Sequence, residues 1–386
     1  MIDNINDFKE YLEKTNFSDD RKNLIMHLLN NENHIIENDI KRAFQVTSNF
    51  KDDDYIKLKE SLDYEARHEL MIKLEENYLK RDFITLYTSL ENKATLSDML
   101  KSNNVFDLIK CKSLNKDSIN DIIKCIINIA TRDSGLKGIG KGEIFFSLFI
   151  DGNQIHEKKH GDVVIDDKAI EIKAYSTNIL KSGIVKNING GRLIANDNKV
   201  KDPKEVVKKM KLLFKRFFVS GDANFLDNVK SKNNKDGYCI SNANNMQKVF
   251  TYIKENTNLN IYEIFEKISE ALYWQFFDDY NSNYKTFIDK ITKNITEESV
   301  GQTLINIHAM LAIMSYQINE KWDYLLVLNT KNGKYDYINA NDIEKNSMFD
   351  LYIKLTNKFY FDDGPSNTPG ANKQNYVATI YLKDNK

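Results

Sequence analysis

Four glycines fall within nine residues, SGLKGIGKG from Ser134 to Gly142, and the sequence pattern differs on their two sides. Before them, apolar residues recur every three or four positions, as in KDSINDIIKCIINIATR, which predicts amphipathic helices. After them, short alternating apolar runs predict strands. Because glycine adopts backbone conformations that other residues avoid, a cluster of this density interrupts regular structure. We therefore predict a helical N-terminal domain over residues 1–133 and a different, mixed domain over 134–386.

The part of the chain after the glycines begins with a helix and three short strands. EIFFSLFI, from Glu143 to Ile150, is the predicted helix, and QIHEKK, DVVID and KAIEIKAY are the predicted strands. Helical periodicity returns at about 199–320, and the strands WDYLLVLNT and KYDYINA follow around a Lys331-Asn332-Gly333 turn. FDLYIKLTNKFYF and YVATIYLK are interpreted as two further strands that flank a long loop. The predicted fold class is therefore α/β, with a helical insertion at about 199–320.

Composition limits the kinds of partner that this chain can attract. Its 386 residues include 55 Lys and Arg against 56 Asp and Glu, so the formal net charge is -1 and any site for a polyanion must be local. The three cysteines include no C-x-x-C pair, which favours a reducing compartment. No apolar run approaches the roughly 18 residues of a membrane helix. We therefore expect a cytoplasmic protein with no membrane partner.

The stretch GNQIHEKKHGDVVIDDKAIEIKAYS contains two catalytic signatures, of which the first is HEKKH, from His156 to His160. This pattern matches the H-E-x-x-H motif, in which a helix places both imidazoles on one Zn²⁺ ion. Glycines flank the motif here, and Ile155 is the single apolar residue near it, so a stable helix is not expected. In a strand the two histidines would lie about 13 Å apart, too far to share a metal. The sequence therefore disfavours a zinc protease.

The second signature is Asp162 followed by Glu171-Ile172-Lys173. Strand alternation places Glu171 and Lys173 on one face of KAIEIKAY, pointing out of the strand toward a solvated cleft, with Ile170, Ile172 and Ala174 on the other face against the core. A turn at Asp166-Asp167 makes this strand an antiparallel neighbour of the preceding one, which brings Asp162 near Glu171. Two carboxylates around one point suit Mg²⁺, and an adjacent lysine can orient an attacking water molecule. The sequence therefore favours a metal site at the Asp162 end of this strand pair.

Gly161-Asp162 with Glu171-Ile172-Lys173 resembles the PD-(D/E)xK nuclease superfamily, in which a helix precedes three strands, a helix and further strands. The resemblance implies a restriction-endonuclease-like mixed sheet core within 134–386. It implies that Asp162, Glu171 and the Ile172 carbonyl bind Mg²⁺, with Mn²⁺ as a substitute, and that Lys173 positions the water molecule. Glu143, in GKGE at the start of the preceding helix, corresponds to an additional acid that assists and ligates the metal; its alternative role is to favour the helix dipole.

The chain departs from the family pattern in two places. Gly161 stands where the family typically has proline. About 150 residues separate Lys173 from the next strand near Trp322, so a helical insertion has to be assumed. Gln317, before that strand, lies where some members carry an assisting glutamine or lysine.

The resemblance implies an enzyme that hydrolyses DNA phosphodiester bonds, a restriction-type or phage-encoded endonuclease of a bacterial cytoplasm or an infected host cell. No G-x-x-x-x-G-K-[ST] motif indicates an ATP-driven motor. The sequence leaves open whether the protein forms a homodimer and whether its substrate is RNA in place of DNA. The alternative function is a non-catalytic DNA-binding or virion assembly protein that keeps the nuclease fold as a scaffold.

A basic stretch, KVKDPKEVVKKMKLLFKRFF, lies within the predicted helical insertion. Its charged residues have the spacing of one helix face, and beside a nuclease site they would bind phosphates without selecting a sequence. The same pattern is also typical of an amphipathic helix with a solvated face. The candidate DNA-binding residues are Lys208, Lys209, Lys211, Lys215 and Arg216.

Overall fold

The structure, a computed structural model, describes residues 64–90, 92–130, 139–151, 161–175, 258–273, 282–363 and 377–383, with shorter stretches and single positions elsewhere. It has a mixed α/β fold, as the sequence predicts. Two compact units divide the chain, the first formed by residues 1–176 and 328–335 and the second by 177–327 and 336–386. This division groups the helices before residue 130 with the strands of the candidate site. The domain boundary at 133 stays a prediction of the sequence.

Helices of the first unit precede its strands. Their bounds are α1 (Tyr64–Glu76), α2 (Lys80–Ser89), α3 (Leu96–Lys101), a 3-10 helix (Val105–Asp107), α4 (Lys116–Ile127) and α5 (Glu143–Phe149). Local sequence explains where they begin: the Asn115 side chain accepts a hydrogen bond from the Ser118 N–H at 2.8 Å and caps α4. Isoleucines at three- and four-residue spacing then form the buried face of α4, as its periodicity predicts.

The end of α1 is a strained turn at Tyr78. The Tyr78 N–H donates to the Glu75 carbonyl at 3.1 Å and the Leu79 N–H to the Leu74 carbonyl at 2.8 Å, the two hydrogen bonds of a Schellman motif. This motif requires a left-handed residue, usually glycine, and Tyr78 has φ +58°. A left-handed conformation costs a residue with a side chain about 1–2 kcal/mol. The Tyr78 side chain is 96% exposed, so packing within the described structure does not offset this cost.

Strands occur in both units and form two sheets. Their bounds are β1 (Asn153–Gln154), β2 (Val163–Ile165), β3 (Lys168–Tyr175), β4 (Ile188–Asn189), β5 (Tyr324–Asn329), β6 (Tyr335–Asn339), β7 (Phe359–Asp363) and β8 (Val377–Leu382). One sheet has the order β1-β2-β3-β5-β6 and the other β4-β8-β7. Strands β2 and β3 are antiparallel, with Val163 opposite Ile170 and Ile165 opposite Lys168. The predicted strand pair is therefore confirmed.

The turn between β2 and β3 explains this pairing. Asp166 and Asp167 both have positive φ angles, +49° and +59°. Two successive left-handed residues match the right-handed twist of a two-residue hairpin, and aspartate tolerates this conformation better than most residues. The turn sequence therefore fixes the register that the candidate site depends on.

Two described helices of the second unit, Val300–Glu320 and Met348–Lys358, pack against the three-stranded sheet. The bounds of the helices in this unit are α6 (Ile261–Tyr273), α7 (Ser282–Thr292), α8 (Val300–Glu320), α9 (Ala340–Lys345) and α10 (Met348–Lys358). Helices α6, α7 and α8 lie in the later part of the predicted insertion and confirm that it is helical there. Residues 199–246, its earlier part, lie outside the described structure. Among the residues described, no helix combines the length and the apolar character needed to cross a bilayer.

The interpretation of FDLYIKLTNKFYF as a strand is wrong for most of its length. Residues up to Lys358 form α10, and the strand begins only at Phe359. The Ser347 side chain accepts from the Asp350 N–H at 3.2 Å and caps the helix. Leu351, Tyr352 and Leu355 are buried at helical spacing. Capping and this spacing outweigh the strand preference of the aromatic residues.

Candidate active site

The structure fixes the Asp162 carboxylate beside the Glu171-Lys173 segment. The Asp162 N–H donates to the Ile170 carbonyl at 2.9 Å and extends the β2–β3 ladder by one residue. The Ile172 N–H donates to Asp162 Oδ2 at 2.8 Å. Because a backbone donor holds one oxygen, the carboxylate has a defined position next to the strand that carries Glu171 and Lys173. The proximity predicted from the turn is therefore observed.

Gly161 allows this arrangement for two reasons. Its φ angle is +71°, in the left-handed region. A Cβ atom at this position would lie 3.0 Å from both the backbone N and the backbone O of Ile170. Proline, with φ fixed near −65°, does not fit this backbone. The departure from the proline typical of PD-(D/E)xK nucleases therefore has a physical explanation in this chain.

Gly161→Ala is expected to lower the free energy of unfolding by about 1–3 kcal/mol, because alanine is strained at this φ and its Cβ crowds the Ile170 backbone. The measurement is urea denaturation followed by circular dichroism. Asp167→Gly is the control, since its φ is also positive but it lies in an exposed turn; we expect it to change stability by less than about 0.5 kcal/mol. Equal stability of the two variants would contradict this account of Gly161.

Glu171 and Lys173 form an ion pair, Lys173 Nζ with Glu171 Oε1, which confirms that they share one face of β3. The expectation that they point out of the strand into a solvated cleft is wrong. Glu171 is 6% exposed and Lys173 9% exposed. Residues of both faces of β3 are buried along most of its length, and β3 is an inner strand between β2 and β5. A buried charged pair depends on both members, since either one alone would be an uncompensated charge.

Glu143 is the first residue of α5, and two glycines position it. The Gly140 N–H donates to Glu143 Oε1 at 2.7 Å. Gly142 has φ +88°, and a Cβ there would lie 2.8 Å from Leu328 Cδ2 and 3.4 Å from Ile172 Cγ2. At Gly142 the start of α5 therefore lies closer to the Leu328 side chain of β5 than a residue with a Cβ atom would permit. From the sequence these glycines were predicted only to interrupt regular structure. Their role in positioning Glu143 was indicated only by their place immediately before it, in GKGE.

The charges of the cluster act on Glu143. Burial raises its pKa well above the ordinary glutamate value, and the negative charges of Asp162 and Glu171 raise it further. The Gly140 N–H and the Lys173 ammonium oppose this effect. Four ionisable side chains from α5, from the residue before β2 and from β3 therefore share one electrostatic environment. Three carboxylates and one ammonium leave this cluster with more negative than positive charge when all are ionised.

The raised pKa of Glu143 predicts a pH dependence of stability. Between the ordinary glutamate pKa and the raised value, the folded protein keeps a proton that the unfolded chain has lost, so stability falls as pH rises. Glu143→Gln is expected to remove this decline and to be the more stable protein at neutral and alkaline pH. Urea midpoints at several pH values test this, with Glu344→Gln, at an exposed position of α9, as the control. A wild-type decline that persists in Glu143→Gln would assign it to another group.

The donor set of the cluster suits a hard cation. Its carboxylates and the Ile172 carbonyl are oxygen ligands, which Mg²⁺ prefers, and their excess negative charge favours a cation. Within the part of the chain that the structure describes, no three His, Cys, Asp or Glu side chains are grouped so as to hold a metal ion. Glu171 is instead engaged by Lys173. The residues therefore fit the metal by chemistry and charge, while the cation that Glu171 contacts is the lysine.

Other predicted residues are not part of the described cluster. The two histidines of HEKKH and the five basic candidates, Lys208, Lys209, Lys211, Lys215 and Arg216, lie outside the described residues. Gln317 lies in α8 of the second unit, and its assisting role stays a prediction. His308, on the same helix, is buried, and burial lowers its pKa to about 4. A neutral buried histidine of this kind has the properties of a packed core residue.

Comparisons with known proteins give no match to a protein-family model, to a curated protein or to a solved structure. The resemblance to PD-(D/E)xK nucleases therefore rests on the motif residues and on their positions at the start of α5, just before β2 and in β3.

Proposed function

We propose that the protein is a metal-dependent endonuclease with a restriction-endonuclease-like core, and that it hydrolyses DNA phosphodiester bonds in the cytoplasm. The observation that carries the proposal is that the structure brings Glu143, Asp162, Glu171 and Lys173 together: the Ile172 N–H holds Asp162, Lys173 pairs with Glu171, and the charges of these three side chains act on Glu143. The order of helix α5 followed by strands β1, β2 and β3 supports it, because this order begins the family core. A buried acid whose pKa is raised by burial and by neighbouring charges, as that of Glu143 is, is typical of catalytic sites, although structural ion pairs also produce such shifts.

Asp162, Glu171 and the Ile172 carbonyl would hold Mg²⁺, and Glu143 would complete the acidic set. A bound Mg²⁺ ion supplies charge stabilisation at the phosphate and a more acidic water molecule. The Ile172 N–H keeps Asp162 in place at 2.8 Å, so this carboxylate is oriented before any ligand arrives. The raised pKa of Glu143 favours its protonated form, and positive charge added at the cluster would lower this pKa.

Lys173 would orient the attacking water and stabilise negative charge that develops on the phosphate. In the structure its ammonium is committed to Glu171. Both side chains are buried, so the Lys173 ammonium has little freedom to exchange with bulk solvent. The proposed active form therefore requires Glu171 to share its charge between Lys173 and the metal.

The satisfied Glu171–Lys173 pair favours a second candidate function, a non-catalytic DNA-binding or virion assembly protein. In such a protein the pair would be a structural ion pair that needs no metal. The two functions differ in one measurable property, which is turnover of DNA.

Incubation of supercoiled plasmid with the purified chain tests the proposal. We expect nicked and linear products with Mg²⁺ or Mn²⁺, none with EDTA, and binding without cleavage in Ca²⁺, whose longer and looser coordination misplaces the water molecule. Zn²⁺ should be dispensable. Matched reactions with Asp162→Asn exclude a contaminating nuclease. DNA binding without cleavage in any of these metals would instead support the scaffold protein.

A further inference from the structure

The first unit contains a surface on which lysines outnumber acids. Residues 99–114 and 328–335 lie side by side, joined by an antiparallel bridge and by the Val105 N–H, which donates to the Gly333 carbonyl at 2.9 Å. Asp107 is the single acid in these two segments. Against it stand five exposed lysines, which we call the lysine surface: Lys101, Lys110, Lys112, Lys331 and Lys334.

The positive charge of the lysine surface is only partly neutralised. Lys101, Lys110 and Lys331 form no ion pair within the part of the chain that the structure describes. Its capping hydrogen bonds at the start of α3 lower the pKa of Asp98, and the charges of Lys101 and Lys110 lower it further. Both ammonium groups therefore lie near this carboxylate. Asp98 and Asp107 together cannot balance five lysines, so the surface keeps an excess of positive charge.

The ends of two strands place this surface beside the candidate active site. β3 and β5 are neighbours in the sheet, and the Thr330 N–H, directly after β5, donates to the carbonyl of Tyr175, the last residue of β3, at 2.8 Å. The two strands therefore end at the same edge of the sheet, where the turn with Lys331 and Lys334 begins. Lys173 lies two residues before this edge, about 7 Å along the strand. All of these residues belong to the first unit.

Hydrogen bonds hold the turn between β5 and β6 in a defined conformation. Thr330 is 1% exposed, and its hydroxyl donates to Asn128 Oδ1 at 2.8 Å. The Gly333 N–H donates to the Asn329 carbonyl, also at 2.8 Å. Because the backbone under the lysines is already ordered, only their side chains have to lose freedom when a ligand binds, which lowers the entropic cost of binding.

We propose that the lysine surface binds phosphates of a DNA duplex on one side of the bond that the cluster cleaves. The choice of DNA rests on the proposed function, because a phosphodiester held at the cluster continues into further phosphates. Base pairs of a duplex advance about 3.4 Å each, so a phosphate about two base pairs from the cluster reaches the edge of the sheet. Lysine binds phosphate as a point charge and selects no sequence.

A duplex is specified over a single strand because of what the surface lacks. Single-strand binders combine positive charge with aromatic rings on which unpaired bases stack. Neither residues 99–114 nor residues 328–335 contain an exposed aromatic ring. The lysine surface therefore offers contacts to a phosphate backbone and none to the face of a base.

Fluorescence anisotropy tests this surface on the full chain, with a labelled duplex of about 20 base pairs, over a range of salt concentrations and in EDTA so that no strand is cut. The triple variant Lys101→Gln, Lys110→Gln and Lys331→Gln should bind about 10- to 100-fold more weakly at ~0.1 M salt. Its log-log salt slope should be flatter by about 2–3, since each lost phosphate contact removes about 0.9. Arginine at the same three positions keeps the charges and should preserve the wild-type slope.

The matched control replaces Lys267, Lys285 and Lys293, three exposed lysines of the second unit, by glutamine. It makes the same change in net charge and should leave the salt slope unchanged, which separates a local surface from the charge of the whole protein. Both triple glutamine variants should keep the wild-type urea midpoint, because substitutions at exposed positions have little effect on stability.

A wild-type salt slope in the Lys101, Lys110 and Lys331 variant would overturn the proposal, as would an equal loss in the control variant or a wild-type chain that binds no duplex. This measurement needs neither metal nor cleavage. A chain that binds the duplex through these lysines but never cuts plasmid would contradict the proposed function alone. A chain that cuts plasmid while the triple variant keeps the wild-type slope would contradict the lysine surface alone.

Discussion

Lys173→Ala is expected to lower the rate of Mg²⁺-dependent plasmid cleavage by about 10²-fold or more, the usual effect of removing one preorganised electrostatic group. The ammonium is assigned to the attacking water and to developing charge, so DNA binding should persist. Because Glu171 is released from its ion pair, the variant should bind Mn²⁺ at least as tightly as wild type. Single-turnover cleavage, anisotropy with a duplex in Ca²⁺ and Mn²⁺ calorimetry measure these three properties.

The burial of the pair requires a stability control for this experiment. Removing one member of a buried ion pair costs about 3–5 kcal/mol, so Lys173→Ala should also lower the urea midpoint. The double variant Lys173→Met with Glu171→Gln removes both charges and should recover much of that stability without recovering cleavage. Lys168→Ala, at an exposed lysine of the same strand, should change neither property. Wild-type cleavage rates in folded Lys173→Ala would exclude the proposed role.

Asp162→Asn and Glu171→Gln are expected to abolish cleavage and to weaken Mn²⁺ binding together, since both carboxylates are assigned to the metal. The loss of metal affinity should exceed the roughly 10- to 100-fold effect of losing an outer partner of a ligand. The Asp162→Asn substitution should preserve the fold, because the asparagine amide keeps an oxygen that can accept from the Ile172 N–H. The measurements are Mn²⁺ calorimetry and metal-dependent DNA binding.

Asp167→Asn is the matched control for these two variants, because it removes one carboxylate at an exposed turn position of the same hairpin. It should leave metal affinity and cleavage unchanged. The metal results should also differ from those of Lys173→Ala, which loses turnover but keeps metal. If Asp162→Asn and Glu171→Gln both bound Mn²⁺ as wild type does, the metal would lie elsewhere and the cluster would be a structural ion network.

Local sequence determined the hairpin and the faces of its strands. The Asp166-Asp167 turn fixes an antiparallel register, and alternation puts Glu171 and Lys173 on one face, as their ion pair shows. The glycines before Glu143 indicated where the preceding helical periodicity stops, and the apolar spacing of EIFFSLFI predicted that α5 begins at Glu143. These features depend on residues close together in the chain, so propensity, turn chemistry and spacing were sufficient to predict them.

Only the tertiary structure decided the burial and the electrostatics of the site. β3 is an inner strand because β5 joins the sheet from about 150 residues further along the chain, and no local pattern specifies that neighbour. The pKa of Glu143 depends on charges of Asp162, Glu171 and Lys173 that folding brings near it. Alternation tells which side chains share a face, but whether that face meets solvent or protein depends on long-range packing. The sequence therefore predicted the members of the candidate site, and the fold decided that they are buried and coupled.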